Sequence, residues 1–199
     1  MKIKLAVEKP IQALKKEPVF ILLAGLTAGM LSSVTLGILY PVMAAGLANV
    51  IIKISAGEKA DFQDLFKFMN LLAPMFGLGL LIFIMSAAGL VFIIFPGLLI
   101  MALFVYAPYY MAFENQGIMA SLKLSAKAAI ANNLMGHVVI VLVLWLINLI
   151  GIQMLAGWIL TFPLTVGFLY FLFEQTKKDG SSAAQQLSGS EEPVDGKVG

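Results

Sequence analysis

The sequence predicts an all-α protein that crosses a membrane several times, and three observations predict it. Hydrophobic residues make up 60% of the 199 positions and charged residues 12%, whereas soluble domains run near half and a quarter. Charged residues are missing from three long runs, 18–52, 68–113 and 128–173, of which only the third holds a titratable group, His137. Each run exceeds the roughly 20 residues that cross a hydrocarbon core about 30 Å thick. Lastly, lysine marks every segment between the runs and beyond them: Lys2 to Lys16, then Lys53, Lys59 and Lys67, then Lys123 and Lys127, then Lys177 and Lys178. Lysine beside a span favours the cytoplasmic side, so all four polar regions are expected on that side. Each apolar run must then cross an even number of times. Six transmembrane helices follow, as three hairpins joined by short amphipathic cytoplasmic connectors.

The elements divide the chain into three parts. Residues 1–18 read as a basic cytoplasmic N-terminal segment, since the apolar run that follows is longer than a signal h-region. Residues 19–173 hold the six-span domain. Residues 174–199, rich in Ser, Gly, Ala and Gln, read as a disordered cytoplasmic tail with too little apolar surface to offset ordering. Both termini are expected to be cytoplasmic.

Within the runs, proline and glycine place the turns. Proline suits the first turn of a helix, where its missing N–H costs nothing. Pro41 is therefore read as opening the second span, and Pro96, in Pro96-Gly97, as opening the fourth. Pro108 marks a further turn or kink near the end of that span. In the third run the stretch 149–153, "LIGIQ", reads as the turn, which leaves Pro163 as a kink inside the sixth helix.

The two connectors resemble each other: "EKADFQDLFKF" at 58–68 aligns with "ENQGIMASLKL" at 114–124. Phe62, Leu65, Phe66 and Met69 fall at helical spacing, as do Ile118, Leu122, Ala126 and Ala129. A helix of that kind can lie in the headgroup layer. On that reading Lys53, Lys59, Lys67, Lys123 and Lys127 contact lipid headgroups. On the other reading the apolar stripes pack under the bundle as core.

The search for chemistry excludes more than it finds. The chain has no cysteine, so thiolate metal sites and disulfides are ruled out. All thirteen basic residues are lysine; lacking the planar fork of arginine, they argue against nucleic-acid partners. A membrane enzyme or pump keeps ionisable groups within its spans, and none here carries a permanent charge. His137 alone cannot supply a metal triad, and neither HExxH nor GxSxG occurs. No catalytic, cofactor or metal residue is assigned, and His137 is read as bonding headgroups or backbone. Asn148 is read as tying one helix to another, and Gly25 with Gly29 permits close helix contact.

Several short motifs carry a resemblance. Asp64-Leu65-Phe66, Pro96-Gly97, Ala107-Pro108-Tyr109, and Ser121 or Ser125 with Lys127 resemble the pattern of bacterial YciC-like multi-pass membrane proteins of unknown function, over roughly 19–173. The tryptophan usual after the Ser/Lys loop is replaced here by the region of Gly136-His137. The resemblance implies a fold and a bacterial cytoplasmic (inner) membrane, and it supplies no catalytic residue. The expected role is non-enzymatic: a scaffold, assembly or envelope-maintenance factor whose partners are membrane lipids and other membrane proteins or itself. The alternative is a transporter or channel subunit for a small neutral or apolar solute.

Overall fold

The structure, a computed structural model, describes residues 3–92, 94–153 and 157–189. It is all-α. Helix α1 spans Ile3–Lys16, α2 Pro18–Val34 and α3 Tyr40–Ala56. Two 3₁₀ turns, Phe62–Phe66 and Met69–Leu71, lead into α4 (Leu72–Phe92). There follow α5 (Ile94–Phe104), α6 (Ala107–Phe113), α7 (Ile118–Ala131), α8 (Leu134–Gln153) and α9 (Gly157–Gly189).

Local chemistry sets the helix ends. Proline stands in the first turn of α2 and of α3, where no backbone bond is lost. Both helices close with paired carbonyl caps. Gly37 N–H donates to Ser32 O (2.7 Å) and Leu36 N–H to Ser33 O (3.0 Å), with Leu36 in the left-handed region at φ +51°. At the end of α3, Glu58 N–H donates to Lys53 O (2.9 Å) and Gly57 N–H to Ile54 O (3.1 Å). Gly57 holds φ +84° there, a conformation glycine adopts without steric cost.

α3 is the middle of the molecule. Every residue from Val42 to Ile51 is buried, and α1, α2, α4, α6, α9 and the first 3₁₀ turn pack around it. A helix apolar on all sides needs such enclosure. α2 pairs with α3, α4 with α5 and α8 with α9, and α9 also runs against α1, α2 and α3. Three of these contacts set a proline ring against a glycine. Pro163 of α9 faces Gly25 of α2, Pro41 of α3 faces Gly79 of α4, and Pro10 of α1 faces Gly167 of α9.

Four helical stretches are long and apolar enough to cross a membrane: Phe62–Ala88, Pro96–Phe113, Leu134–Gly151 and Ile159–Lys178. The count becomes five if α1 and α2, which meet at 108°, form one bent span. Six spans were expected. The shortfall lies in the first apolar run, where α2 and α3 have 17 residues each. That is about 25 Å at 1.5 Å per residue, less than a hydrocarbon core of about 30 Å.

Two further expectations differ from the structure. Residues 149–153 are helical within α8 rather than a turn, and α9 begins at Gly157. The N-terminal segment is a helix packed on α9 and α3. Where a disordered tail was placed from 174 onward, α9 continues as far as Gly189. Its first turn beyond Phe173 is held in place: Lys177 pairs with Glu114, and Glu174 lies between Lys9 (4.0 Å) and Lys178 (3.8 Å). Residues 190–199 of that tail lie outside the described residues.

Candidate functional site

Lysine contacts join α1 and α9 to each other and to the ends of α3 and α6. Lys16 Nζ reaches the Ile54 and Ser55 carbonyls at the end of α3 (3.4 Å each). Lys9 of α1 reaches Glu174 and lies 4.8 Å from the centre of the Phe171 ring. Phe68, just after the first 3₁₀ turn, packs edge-on against Phe113 (5.1 Å), which precedes Glu114.

The first connector is not the amphipathic α-helix that its spacing predicts. It is a five-residue 3₁₀ turn and a shorter second one, docked onto α3. Asp61 and Asp64 form a capping box across the first turn. The Asp64 carboxylate also receives Lys53 Nζ at 2.6 Å. Lys67 Nζ donates to Asn49 Oδ1 (3.1 Å), and Asn49 Nδ2 donates to the Asp64 carbonyl (3.4 Å). Leu65 is fully buried, and its carbonyl occupies the space that a Cβ at Gly46 would need. Gly46 lies ten residues before Ala56, so the connector reaches about 15 Å along α3.

The second connector contains a true helix, α7, with Ser121, Leu122, Ser125 and Ala129 buried on one face. Ser125 repairs a break in the neighbouring chain. α5 stops at Phe104, and α6 restarts at Ala107 with Pro108 in its first turn. The Tyr106 N–H donates to Ser125 Oγ (3.2 Å), and Ser125 Oγ–H donates to Leu103 O (2.7 Å). One hydroxyl thus serves both sides of the gap that Pro108 cannot bridge.

The lysines expected to contact headgroups therefore separate into two kinds. Lys53 and Lys67 bind Asp64 and Asn49. Lys59, Lys123 and Lys127 are exposed. Of the predicted turn residues, Pro41 and Pro108 occupy first helical turns, and Pro96 is the third residue of α5 with Gly97 beside it. Pro163 lies inside α9.

Two polar side chains within α8 are tied locally. Asn148 Nδ2 donates to Thr165 Oγ1 of α9 (2.8 Å) and to Leu144 O (2.9 Å), the interhelical tie expected of it. His137 is buried against Tyr106 (ring centres 5.4 Å apart, perpendicular). Its Nδ1 lies 3.0 Å from Asn133 O. Among the described residues, His137 Nε2 is buried without a hydrogen-bond partner, and the buried Tyr106 hydroxyl faces the Thr176 hydroxyl. Among the described residues, no three His, Asp or Glu side chains converge on a point where a metal could sit.

A cleft of about 390 Å³ lies between α1, α8 and α9. Val7, Pro10 and Ile11 form one wall, Val139, Val143 and Ile147 a second, and Leu164 and Phe168 a third. Thr161 and Thr165 contribute its polar atoms. The sequence did not disclose it, because residues 1–18 read there only as a basic cytoplasmic segment. The available signal was the spacing of Ala6, Pro10 and Ala13, all buried, with Val7 and Ile11 alongside.

Comparisons of this chain with protein-family profiles, with curated proteins and with solved structures give no match.

Proposed function

We propose that this chain is a non-enzymatic protein of a bacterial cytoplasmic membrane, a scaffold, assembly or envelope-maintenance factor of six spans in three hairpins. One observation carries the reading: among the described residues, lysine contacts join α1 and α9 to each other and to the ends of α3 and α6, while the walls of α4 and α8 are bare and apolar. Phe83, Ile84, Trp145 and Ile150 are all more than half exposed. Apolar patches of this extent call for lipid or another apolar surface, and in hydrocarbon such faces cost nothing.

The first hairpin supports six spans despite its short helices. α2 and α3 fall only slightly below the usual span length, and the five-residue turn 35–39 adds reach at the far end. The connector docked along α3 and the enclosing helices keep most of that helix away from lipid. The lysines of both connectors support their cytoplasmic placement.

The test is purification in native-lipid nanodiscs, with bound protein and lipid identified by mass spectrometry. A stoichiometric protein or lipid companion is the expected result. Glycerol flux through vesicles reconstituted with the chain, faster than through empty vesicles, would replace this reading with the transporter one.

A further inference from the structure

We infer that the cleft between α1, α8 and α9 holds one acyl chain of an anionic phospholipid, whose headgroup lies on the edge of α1 that carries Lys4 and Lys15. The inference rests on the reading that α8 and α9 stand in a bilayer, and it adds a defined ligand site to that reading.

The arrangement of α1 supplies the argument. Pro10 seats this helix in the notch at Gly167, Lys9 ties it to Glu174, and Lys16 ties it to the end of α3. α1 is therefore fixed across the charged end of the cleft. Along it, Lys4, Val7, Ile11 and Lys15 succeed one another at intervals of three, four and four residues, so they form one stripe. The two middle members line the cleft, and the two outer members are exposed lysines. Lys15 makes no ion pair among the described residues. Lys4 has only a solvent-exposed contact with Glu8 at 3.8 Å, which is worth little. Two cations against one carboxylate leave this edge positive.

The cleft itself suits an alkyl chain. Between Val139 and Ile147 it follows α8 for eight residues, about 12 Å, away from the lysines and toward the Asn148–Thr165 tie. Its walls offer that length no charged group. A lipid whose phosphate rests on this positive edge would send its chain down this path. A neutral headgroup would fill the cleft equally well and gain nothing from the lysines.

The experiment uses the full chain in phosphatidylcholine nanodiscs doped with phosphatidylglycerol carrying a diazirine in one acyl chain, with a matched phosphatidylcholine probe as control. Crosslinked peptides are mapped after photolysis. The expected result is enrichment within 139–147 and 161–168, stronger for the anionic probe. Val143→Trp and Ile11→Trp fill the cleft from different helices, and each should remove most of that enrichment with either probe. Lys4→Gln with Lys15→Gln should keep the chain in the cleft and cut the anionic preference by about fivefold or more. Circular dichroism establishes that each variant is folded.

Crosslinks spread evenly over the Phe83 and Trp145 faces would overturn the inference, as would enrichment that survives both tryptophans. Loss of a dimer in the tryptophan variants, with lipid capture unchanged, would give the cleft to a second copy instead. Failure of the chain to enter nanodiscs at all would remove the membrane reading, a result distinct from entry without cleft labelling.

Discussion

Gly46 shows how much one residue can decide in this molecule. It lies on α3 where the backbone of the docked connector passes, and a methyl group there would collide with the Leu65 carbonyl oxygen. Backbone cannot swing aside as a side chain can, so Gly46→Ala must displace the connector. Leu65 would leave its buried site, and the links from Asn49 to Asp64 and Lys67 would be strained with it. The expected loss is about 3 kcal/mol or more, seen as a lower Tm in detergent and as new protease sensitivity near Lys59 and Lys67. Ser125 is a second such position. Ser125→Ala leaves the Tyr106 N–H without its partner inside the bundle, at a cost of about 1–3 kcal/mol. Hydrogen exchange at the Tyr106 amide should rise ahead of its neighbours in α6. An unchanged exchange rate there would mean that the gap before Pro108 is closed in some other way.

At the scale of elements, pairs of small and rigid residues hold the helices together. A methyl at Gly167 would lie 2.9 Å from Pro10 Cβ and 3.1 Å from its Cγ. The ring has no rotamer by which to withdraw, so Gly167→Ala should lift α1 away from α9 at a cost of about 1–3 kcal/mol. Faster amide exchange throughout α1, with α8 unaffected, is the expected signature. The same pairings explain what the sequence could disclose. The long helices were legible because charge-free runs admit little else, and Asn148 was legible because a buried amide needs a partner. The first connector misled for a physical reason. Phe62, Leu65, Phe66 and Met69 do have helical spacing, but the Asp61–Asp64 capping box and the contact of Leu65 with Gly46 favour tight 3₁₀ turns over α-helix. Spacing within one segment says nothing of a glycine sixteen residues upstream. The resemblance between 58–68 and 114–124 likewise did not translate into similar structures. The apolar cleft was hidden for the same reason: each wall reads as an ordinary helix face, and only their meeting makes a cavity.

For the whole molecule the question is how many times the chain crosses, and the first hairpin decides it. α2 and α3 each have 17 residues, and the turn between them holds Leu36, the most exposed large hydrophobic residue among the described residues at 94%. If the hairpin crosses, Leu36 emerges on the face opposite the lysines. If it enters and returns without crossing, Leu36 ends in hydrocarbon and meets neither aqueous phase. The chain has no cysteine, so single cysteines report without background. Leu36→Cys should react with a membrane-impermeant maleimide added outside intact cells. Lys59→Cys on the first connector and Lys123→Cys on α7, both exposed in the structure, should react only after the cells are opened. Lysine flanking fixes orientation through its cost of translocation, so the two connectors should behave alike. The three positions together separate the possible counts. Protection of Leu36→Cys before and after lysis, with both connectors labelled from inside, would leave four spans and a buried first hairpin. Labelling of Lys123→Cys from outside would divide the connectors between the two faces, and the three-hairpin arrangement would fall.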